Sequence, residues 1–210
     1  SASIDGAYVT QALSGRKLVK GDEYAYEKYD RFGYNVAIDN ADAVVTGYNG
    51  GASRLYDLRN GEQYGQPLNH TSFVSGTDMH ALNPVIDDSR IVVPYRYDDL
   101  DDWTVTHDLR IKIFDRSTRD ETAYIDVTGV DYIRSFGLLE TDMAGDIYVT
   151  SDASKVYIYD IAQRTRLAAL SAPASAASGH FNSDIALGDG YMAVGAHGTF
   201  VDEPGRVFVY

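Results

Sequence analysis

A run of acidic residues beside the only tryptophan is the part of the sequence best suited to bind a ligand. Asp98, Asp99, Asp101 and Asp102 form this acidic run, and Trp103 follows it directly. Clustered carboxylates could gather a divalent cation, because hard cations take oxygen ligands. An exposed tryptophan could instead anchor a protein partner or a sugar. A solvated loop whose tryptophan packs against the protein is the third interpretation, and the residue types alone leave all three open.

A second candidate segment runs from His197 to Pro204 and carries one aromatic side chain, Phe200. In the repeats set out below, this segment occupies the position of the acidic run, so Phe200 could lie on the same face as Trp103. Two aromatic side chains on one face favour contact with a protein or a glycan. Local packing of Phe200 is the alternative. We take His197 and Phe200, together with the acidic run and Trp103, as the candidate binding residues.

The familiar catalytic and metal-binding motifs do not occur in the sequence. The five histidines show neither His-x-His nor His-Glu-x-x-His spacing, and they are His70, His80, His107, His180 and His197. There is no cysteine and no Gly-x-Ser-x-Gly motif. Gly188 to Ala193 fits the dinucleotide pattern Gly-x-Gly-x-x-Ala, but that pattern needs a strand before it and a helix after it, and strands flank it here on both sides. We therefore predict no catalytic residue, no cofactor and no metal site.

The charge of the chain argues against several classes of partner. The formal net charge is −13, from 31 acidic and 18 basic residues. A surface of that sign repels phosphate backbones, so we predict no binding to nucleic acid. No apolar run approaches the roughly 20 residues that cross a bilayer, so we predict no membrane insertion. The first residues have neither a basic region nor an apolar core, and they do not form an intact signal peptide.

Most of the sequence has the composition of short β-strands. Tyrosine, valine and isoleucine recur in short runs that glycine, aspartate, asparagine and serine bound. Hairpin turns are predicted at Asn40-Ala41-Asp42, Asn60-Gly61 and Asp189-Gly190, because these residue types tolerate the positive φ of tight turns. The stretch from Ile161 to Ala177 has a helix-favouring composition. The repeat register places a fourth strand and a linker there, and we predict the strand.

The strands recur as a repeated unit. Triplets of the type apolar-aromatic-aspartate begin at Leu55, Ile113 and Ile158, and a related triplet begins at Phe208, so the spacing is 45 to 58 residues. Four short antiparallel strands in about 40–50 residues are typical of a propeller blade. The longest interval contains an insertion, Tyr95 to Asp108, between the second and third strands. Insertions of this kind often carry binding residues.

We therefore predict an all-β fold: a β-propeller of four-stranded antiparallel blades in a single domain, 1–210. There are four to five blades, or the chain is part of a larger ring. The repeats cover approximately 1–30 (a partial blade), 31–72, 73–131, 132–178 and 179–210 (lacking its fourth strand). Val207 to Tyr210 would then be an unpaired edge, which allows an oligomer. Either the N-terminal residues supply the missing strand, or the chain is a piece of a longer array.

Two copies of the unit resemble the FG-GAP repeat. The first copy contains Phe32-Gly33-Tyr34-Asn35-Val36-Ala37-Ile38, then Val44-Val45-Thr46-Gly47, then Arg54-Leu55-Tyr56-Asp57. The last copy contains Ala193-Val194-Gly195-Ala196 followed by Gly205-Arg206-Val207-Phe208-Val209-Tyr210. The FG-GAP repeat builds the propeller of integrin α subunits and of many bacterial and phage extracellular proteins. This chain looks most like the propeller proteins found among marine-phage virion components.

The resemblance is uneven along the chain, and it implies a location more than an activity. It is good over 31–72 and 179–210, weaker over 132–178 and poor over 73–131. It implies an extracellular location or a place in a virion particle. The calcium loops of the family carry Asp-x-Asp-x-Asp-Gly, which does not occur here. Calcium is therefore not implied.

The function that follows is a non-enzymatic structural or binding module on a virion or cell surface. Its inter-strand loops would contact other structural proteins of a larger assembly, or a surface glycan or receptor. The alternative is a propeller enzyme of the lyase or glycosidase type with an acidic site over the central channel. Asp39, Asp87, Asp142 and Asp189 would form that site from the turns between first and second strands. Glycosidase chemistry needs two carboxylates roughly 5–9.5 Å apart, and burial of these aspartates would favour it.

Overall fold

The described part of the chain consists of β-strands joined by turns and loops. A computed structural model describes residues 33–47, 53–68, 77–99, 108–127, 140–152, 155–173, 180–197 and 205–210. Within these ranges there is no helix, and hence none that could span a membrane. The strands form four antiparallel sheets, which we call blades 1 to 4 in chain order.

Each blade is built from strands that are consecutive in the chain. Blade 1 contains β1 (Asn35–Asp39), β2 (Asp42–Thr46), β3 (Ser53–Asp57) and β4 (Glu62–Gln63). Blade 2 contains β5 (Thr77–Ala81), β6 (Val85–Ile86), β7 (Arg90–Asp99), β8 (Asp108–Asp115) and β9 (Glu121–Val127), with both β5 and β6 paired to β7. Blade 3 contains β10 (Thr141–Ala144), β11 (Ile147–Ser151), β12 (Lys155–Asp160) and β13 (Thr165–Ser171). Blade 4 contains β14 (His180–Gly188), β15 (Tyr191–His197) and β16 (Arg206–Val209).

The aspartate that ends each repeated triplet shapes the turn after the third strand. Asp57, Asp115 and Asp160 each accept a hydrogen bond at 2.8 Å from a backbone N–H two or three residues later. Aspartate is favoured at such positions because its short carboxylate can satisfy the backbone of the turn that follows. The predicted turns at Asn40, Asn60-Gly61 and Asp189-Gly190 are confirmed, and all three contain a residue with positive φ.

Successive blades pack face to face and bury apolar side chains between them. Blades 1 and 2 share a cluster that includes Val44, Leu55, Ile91, Val93 and Phe114. Blades 2 and 3 share one that includes Val92, Ile111, Ile113, Tyr148 and Tyr159, and blades 3 and 4 one that includes Val149, Val156, Ile185 and Val194. Strand β6 contacts both β1 and β10, and β10 also contacts β14, so strands from the start of each blade lie beside one another. The described part of the chain is therefore all-β and forms four blades of a β-propeller, as predicted.

The blades have two distinct ends. The connections between first and second strands lie at one end, the turn end, where polar contacts join neighbouring blades. Arg116 of blade 2 donates to Asp42 of blade 1 at 2.7 Å, and Arg90 of blade 2 donates to Asp146 of blade 3 at 2.6 Å. The second strands end, and the third strands begin, at the opposite end. We call that opposite end the loop end.

Two local predictions need correction, and one is confirmed. Tyr95 to Asp99, the first part of the supposed insertion, belongs to strand β7, and Asp108 at its end begins β8. Asp142 lies within β10 rather than in a turn, because the tight turn of blade 3 is at Gly145-Asp146, where Gly145 has a φ of 58°. The stretch with helix-favouring composition contains strand β13, as the repeat register predicted.

Candidate binding site at the loop end

The paired strands of β7 and β8, which we call the projecting hairpin, extend further toward the loop end than the equivalent paired strands of blades 1 and 3. Pairing of β2 with β3 extends over five residue pairs, and so does pairing of β11 with β12. Pairing of β7 with β8 begins at the same turn-end position and extends over eight pairs, from Arg90↔Asp115 to Tyr97↔Asp108. Three further residues at about 3.3 Å each add roughly 10 Å of length. Among the described residues, the paired strands of this hairpin in blade 2 therefore continue further toward the loop end than those of blades 1 and 3.

The acidic run begins at the last two residues of β7. Asp98 and Asp99 are the last residues of β7, and their backbones pair with Asp78 and Thr77 of β5. Asp101, Asp102 and Trp103 lie outside the described residues. Since β7 ends at Asp99 and β8 begins at Asp108, the acidic run starts at the projecting end of the strand.

The second candidate segment begins at the same end of the molecule. His197 is the last residue of β15, which is the second strand of blade 4, and its backbone pairs with His180. Phe200 lies outside the described residues. Both candidate segments therefore continue second strands, one in blade 2 and one in blade 4. The positions of their side chains relative to each other are outside the described part of the structure.

Two aspartates of the hypothetical acidic ring are paired with arginines. Asp39 accepts a hydrogen bond from Arg116, and Asp87 accepts one from Arg90 at 2.8 Å. Partial burial acts to raise the pKa of Asp87, but hydrogen bonds from the Arg90 side chain and from the Ser89 and Arg90 backbones outweigh it and lower the pKa. A carboxylate that is held ionised in this way is unsuited to donate a proton near neutral pH.

The other two aspartates of that ring serve the backbone or face solvent. Asp142 accepts hydrogen bonds from the backbone N–H of Met143 at 2.8 Å and of Leu187 at 2.6 Å, which joins blade 3 to blade 4. Asp189 is exposed in the turn between β14 and β15, with a φ of 48°. Asp39, Asp87 and Asp142 are partly buried, whereas Asp189 is exposed. No three His, Asp or Glu side chains among the described residues are grouped so that they could hold a metal ion.

The sequence did not predict the electrostatic interaction between Glu140 and Asp184. Glu140, directly before β10, has its pKa raised, first by burial and second by the negative charge of Asp184 in β14. Its backbone N–H donates to Ser151 Oγ at 3.2 Å, which places it near the loop end of blade 3. The two residues belong to different repeats and form no motif. Only the packing of blade 4 on blade 3 brings their charges together.

Comparisons with known proteins add little to this description. No family model matches the sequence, and no curated protein matches it. Similar solved structures include Hsv2 of Kluyveromyces lactis with its complete loop 6CD, and Hsv2 with that loop replaced by a Gly-Ser linker. Both show 7% sequence identity and a TM-score of 0.44. The matches cover 85% and 78% of this chain but 49% and 44% of those chains, so this chain spans about half their length.

Proposed function

We propose that this chain is a non-enzymatic binding module that contacts another protein through the loop end of its propeller. The observation that carries the proposal is the projecting hairpin of β7 and β8. The paired strands of this hairpin extend roughly 10 Å beyond those of blades 1 and 3, so they offer a partner a surface that those two blades lack among the described residues. The loop that joins these two strands would be the binding element, because binding residues are commonly placed on loops that a rigid scaffold holds.

The acidic run that begins at the end of β7 would define the chemistry of the partner. Asp98, Asp99, Asp101 and Asp102 supply four carboxylates within five consecutive residues, and Trp103 follows them directly. Such a group attracts a cationic surface, and complementary charge raises the rate of association and selects among partners. Trp103 would supply the apolar anchor, because tryptophan is enriched among the residues that dominate binding energy. His197 and Phe200 would add a second contact from blade 4.

The setting of this contact is a larger assembly. The resemblance of blades 1 and 4 to the FG-GAP repeat supports an extracellular or virion location, with a structural protein of the same particle or a surface receptor as the partner. The net charge of −13 disfavours nucleic acid and anionic membranes as partners. Contact with a glycan, which the same tryptophan could make, is the competing outcome.

The decisive experiment compares wild type with two variants of equal charge change. The test variant replaces Asp99, Asp101 and Asp102 by asparagine. The control replaces Asp120→Asn, Asp189→Asn and Glu62→Gln, which are exposed side chains at the turn end. Both are screened on arrays of surface-protein peptides and of glycans, with Trp103 fluorescence as the second readout, since Trp103 is the only tryptophan.

We expect lysine- and arginine-rich peptides to bind wild type and the control variant, and to lose most of their affinity for the test variant. Trp103→Ala should weaken the same peptides without changing the net charge. Equal losses in the test and control variants would show that only overall charge matters, and would contradict a site at the hairpin. Binding confined to glycans would replace the protein partner by a sugar, and turnover of any bound glycan would overturn the non-enzymatic role.

A further inference from the structure

The outermost strand of blade 4 has a free edge among the described residues. Strand β16 pairs with β15 and with no other described strand, whereas the third strands of blades 1 to 3 each pair with a fourth. An unpaired strand presents a row of backbone donors and acceptors to any strand that approaches it. This surface lies on the last blade and is separate from the projecting hairpin.

The free edge has few of the features that normally protect such strands. Val207 and Val209 are 69% and 67% exposed, and Tyr191 on the neighbouring strand is 66% exposed. Edge strands are usually protected by charged side chains, prolines or bulges. Strand β16 contains one charged residue, Arg206, no proline and no shift of register against β15.

The register shows which backbone groups point outward. Met192 and Tyr210 exchange two backbone hydrogen bonds, at 2.9 and 3.0 Å. In an antiparallel pair, hydrogen-bonded and non-hydrogen-bonded positions alternate. Phe208, two residues before Tyr210, therefore also directs its N–H and C=O toward β15. Val207 and Val209 direct theirs toward the free edge.

We propose that β16 pairs antiparallel with β16 of a second copy of this chain, about a two-fold axis at Phe208. In this register Val207 of one copy lies opposite Val209 of the other. Both residues carry outward N–H and C=O groups, so the two symmetric pairs form four backbone hydrogen bonds. The exposed valines of both copies then lie on one face and form a continuous apolar stripe.

The distribution of charge favours this edge over the rest of the surface for self-association. Each copy carries a net charge of −13, so most surfaces of two copies repel each other. Residues 205–210 contain no acidic side chain and one arginine. The proposed register places Arg206 opposite Tyr210 of the second copy, where a guanidinium can lie over the aromatic ring. The two arginines lie at opposite ends of the paired strands.

The first test is the mass of the full chain in solution as a function of concentration, measured by light scattering. We expect a species of twice 23.1 kDa that dissociates to 23.1 kDa on dilution.

Val209→Pro should raise the dimer dissociation constant at least tenfold, because proline removes an outward N–H that no described strand uses. Val209→Thr, which keeps that N–H, should leave the dissociation constant within about threefold. Val207→Lys keeps every backbone bond and should also weaken the dimer, so a folding defect in the proline variant would not mask the result.

The second test addresses the register. The chain has no cysteine, so Arg206→Cys and Tyr210→Cys introduce single thiols. An equimolar mixture of the two variants should form a disulfide-linked dimer under mild oxidation, because the two positions face each other across the axis. Arg206→Cys alone should not, since its two copies lie about four residues apart along the strands.

Three results would overturn the proposal. A monomer at every concentration, including one in which another segment of the same chain covers β16, would exclude the second copy as the occupant. Dimers that persist in both Val209→Pro and Val207→Lys would place the interface elsewhere. Cross-linking of Arg206→Cys alone as efficient as that of the mixture would contradict the register.

Discussion

Arg116 of blade 2 joins two acidic residues of blade 1: its guanidinium donates to Asp42 at 2.7 Å and to Asp39, the last residue of β1. It also donates to the backbone C=O of Asp87 at 2.6 Å. The Arg116 side chain is 12% exposed, so solvent screens these contacts only in part. Because one side chain holds the turns of two blades, it fixes how blade 1 sits against blade 2.

Replacing Arg116 should therefore weaken the whole domain. We expect Arg116→Gln to lower the free energy of unfolding by about 2–3 kcal/mol, because it leaves two partly buried carboxylates without their cation. The control is Arg110→Gln, which removes an exposed pair with Asp126 and should cost less than about 1 kcal/mol. Urea denaturation at neutral pH measures both. Equal losses for the two variants would contradict a special role for Arg116.

Asp57, which is paired with Arg59, should have a pKa well below that of an ordinary aspartate. A hydrogen bond from the Arg59 side chain lowers the pKa of Asp57 to about 2. An unfolded aspartate has a pKa of about 3.9, so the folded value is depressed. The stability that this pair contributes is then fully present above pH 4, and it is lost as the pH falls from about 4 toward 2.

The pKa of Asp57 can be measured by following its carboxyl carbon by NMR during acid titration. We expect a midpoint near 2 in wild type and one close to the ordinary value in Arg59→Gln. Arg110→Gln, far from this turn, serves as the control and should leave the midpoint unchanged. A wild-type midpoint above 3.5 would show that the hydrogen bond does not form in solution.

The contribution of Glu140 to stability should change with pH in the direction opposite to that of Asp57. Burial and the charge of Asp184 raise its pKa, so ionisation of Glu140 costs stability in the folded protein. That cost is absent at low pH, where Glu140 is protonated in both the folded and the unfolded state. It appears as the pH rises from the pKa of Glu140 in the unfolded chain to its higher pKa in the folded protein. We expect Glu140→Gln to increase the free energy of unfolding at pH 7 but to have little effect at pH 4. Glu62→Gln, an exposed position, should change neither value, and a loss of stability in Glu140→Gln at pH 7 would refute the coupling.

Features that depend on a few neighbouring residues could be predicted from the sequence. The turns at Asn60-Gly61 and Asp189-Gly190 follow from residue types that tolerate positive φ, and the capping role of Asp57 needs only the backbone two residues later. The strand order within each blade follows from the repeat in the same way. Strands adjacent in the chain pair with each other, except that β5 pairs with β7 rather than with β6, so the strand order needs contacts only within one repeat.

Contacts between blades could not be predicted in this way. Arg116 and Asp39 are 77 residues apart, and only the packing of blade 2 against blade 1 brings them together. The environment of Asp39 could not be predicted for the same reason, since Asp39 is paired with an arginine of another blade. The error in predicting a turn at Asp142 has a local cause. The true turn, Gly145-Asp146, is an equally good turn sequence three residues later.

The turn at Gly145 provides a test of backbone strain that is separate from packing. Gly145 has a φ of 58°, and a Cβ built there meets no atom within 4 Å, so Gly145→Ala would strain the backbone without a steric clash. The left-handed conformation costs a residue with a side chain about 1–2 kcal/mol, and we expect Gly145→Ala to lower the free energy of unfolding by that amount.

Gly188 has the same open surroundings but no positive φ. Gly188→Ala should therefore be neutral, or stabilising by about 0.4–1 kcal/mol through the entropy of the unfolded chain. If thermal and urea denaturation showed equal changes for the two variants, the left-handed turn next to Arg90 would not exist in solution.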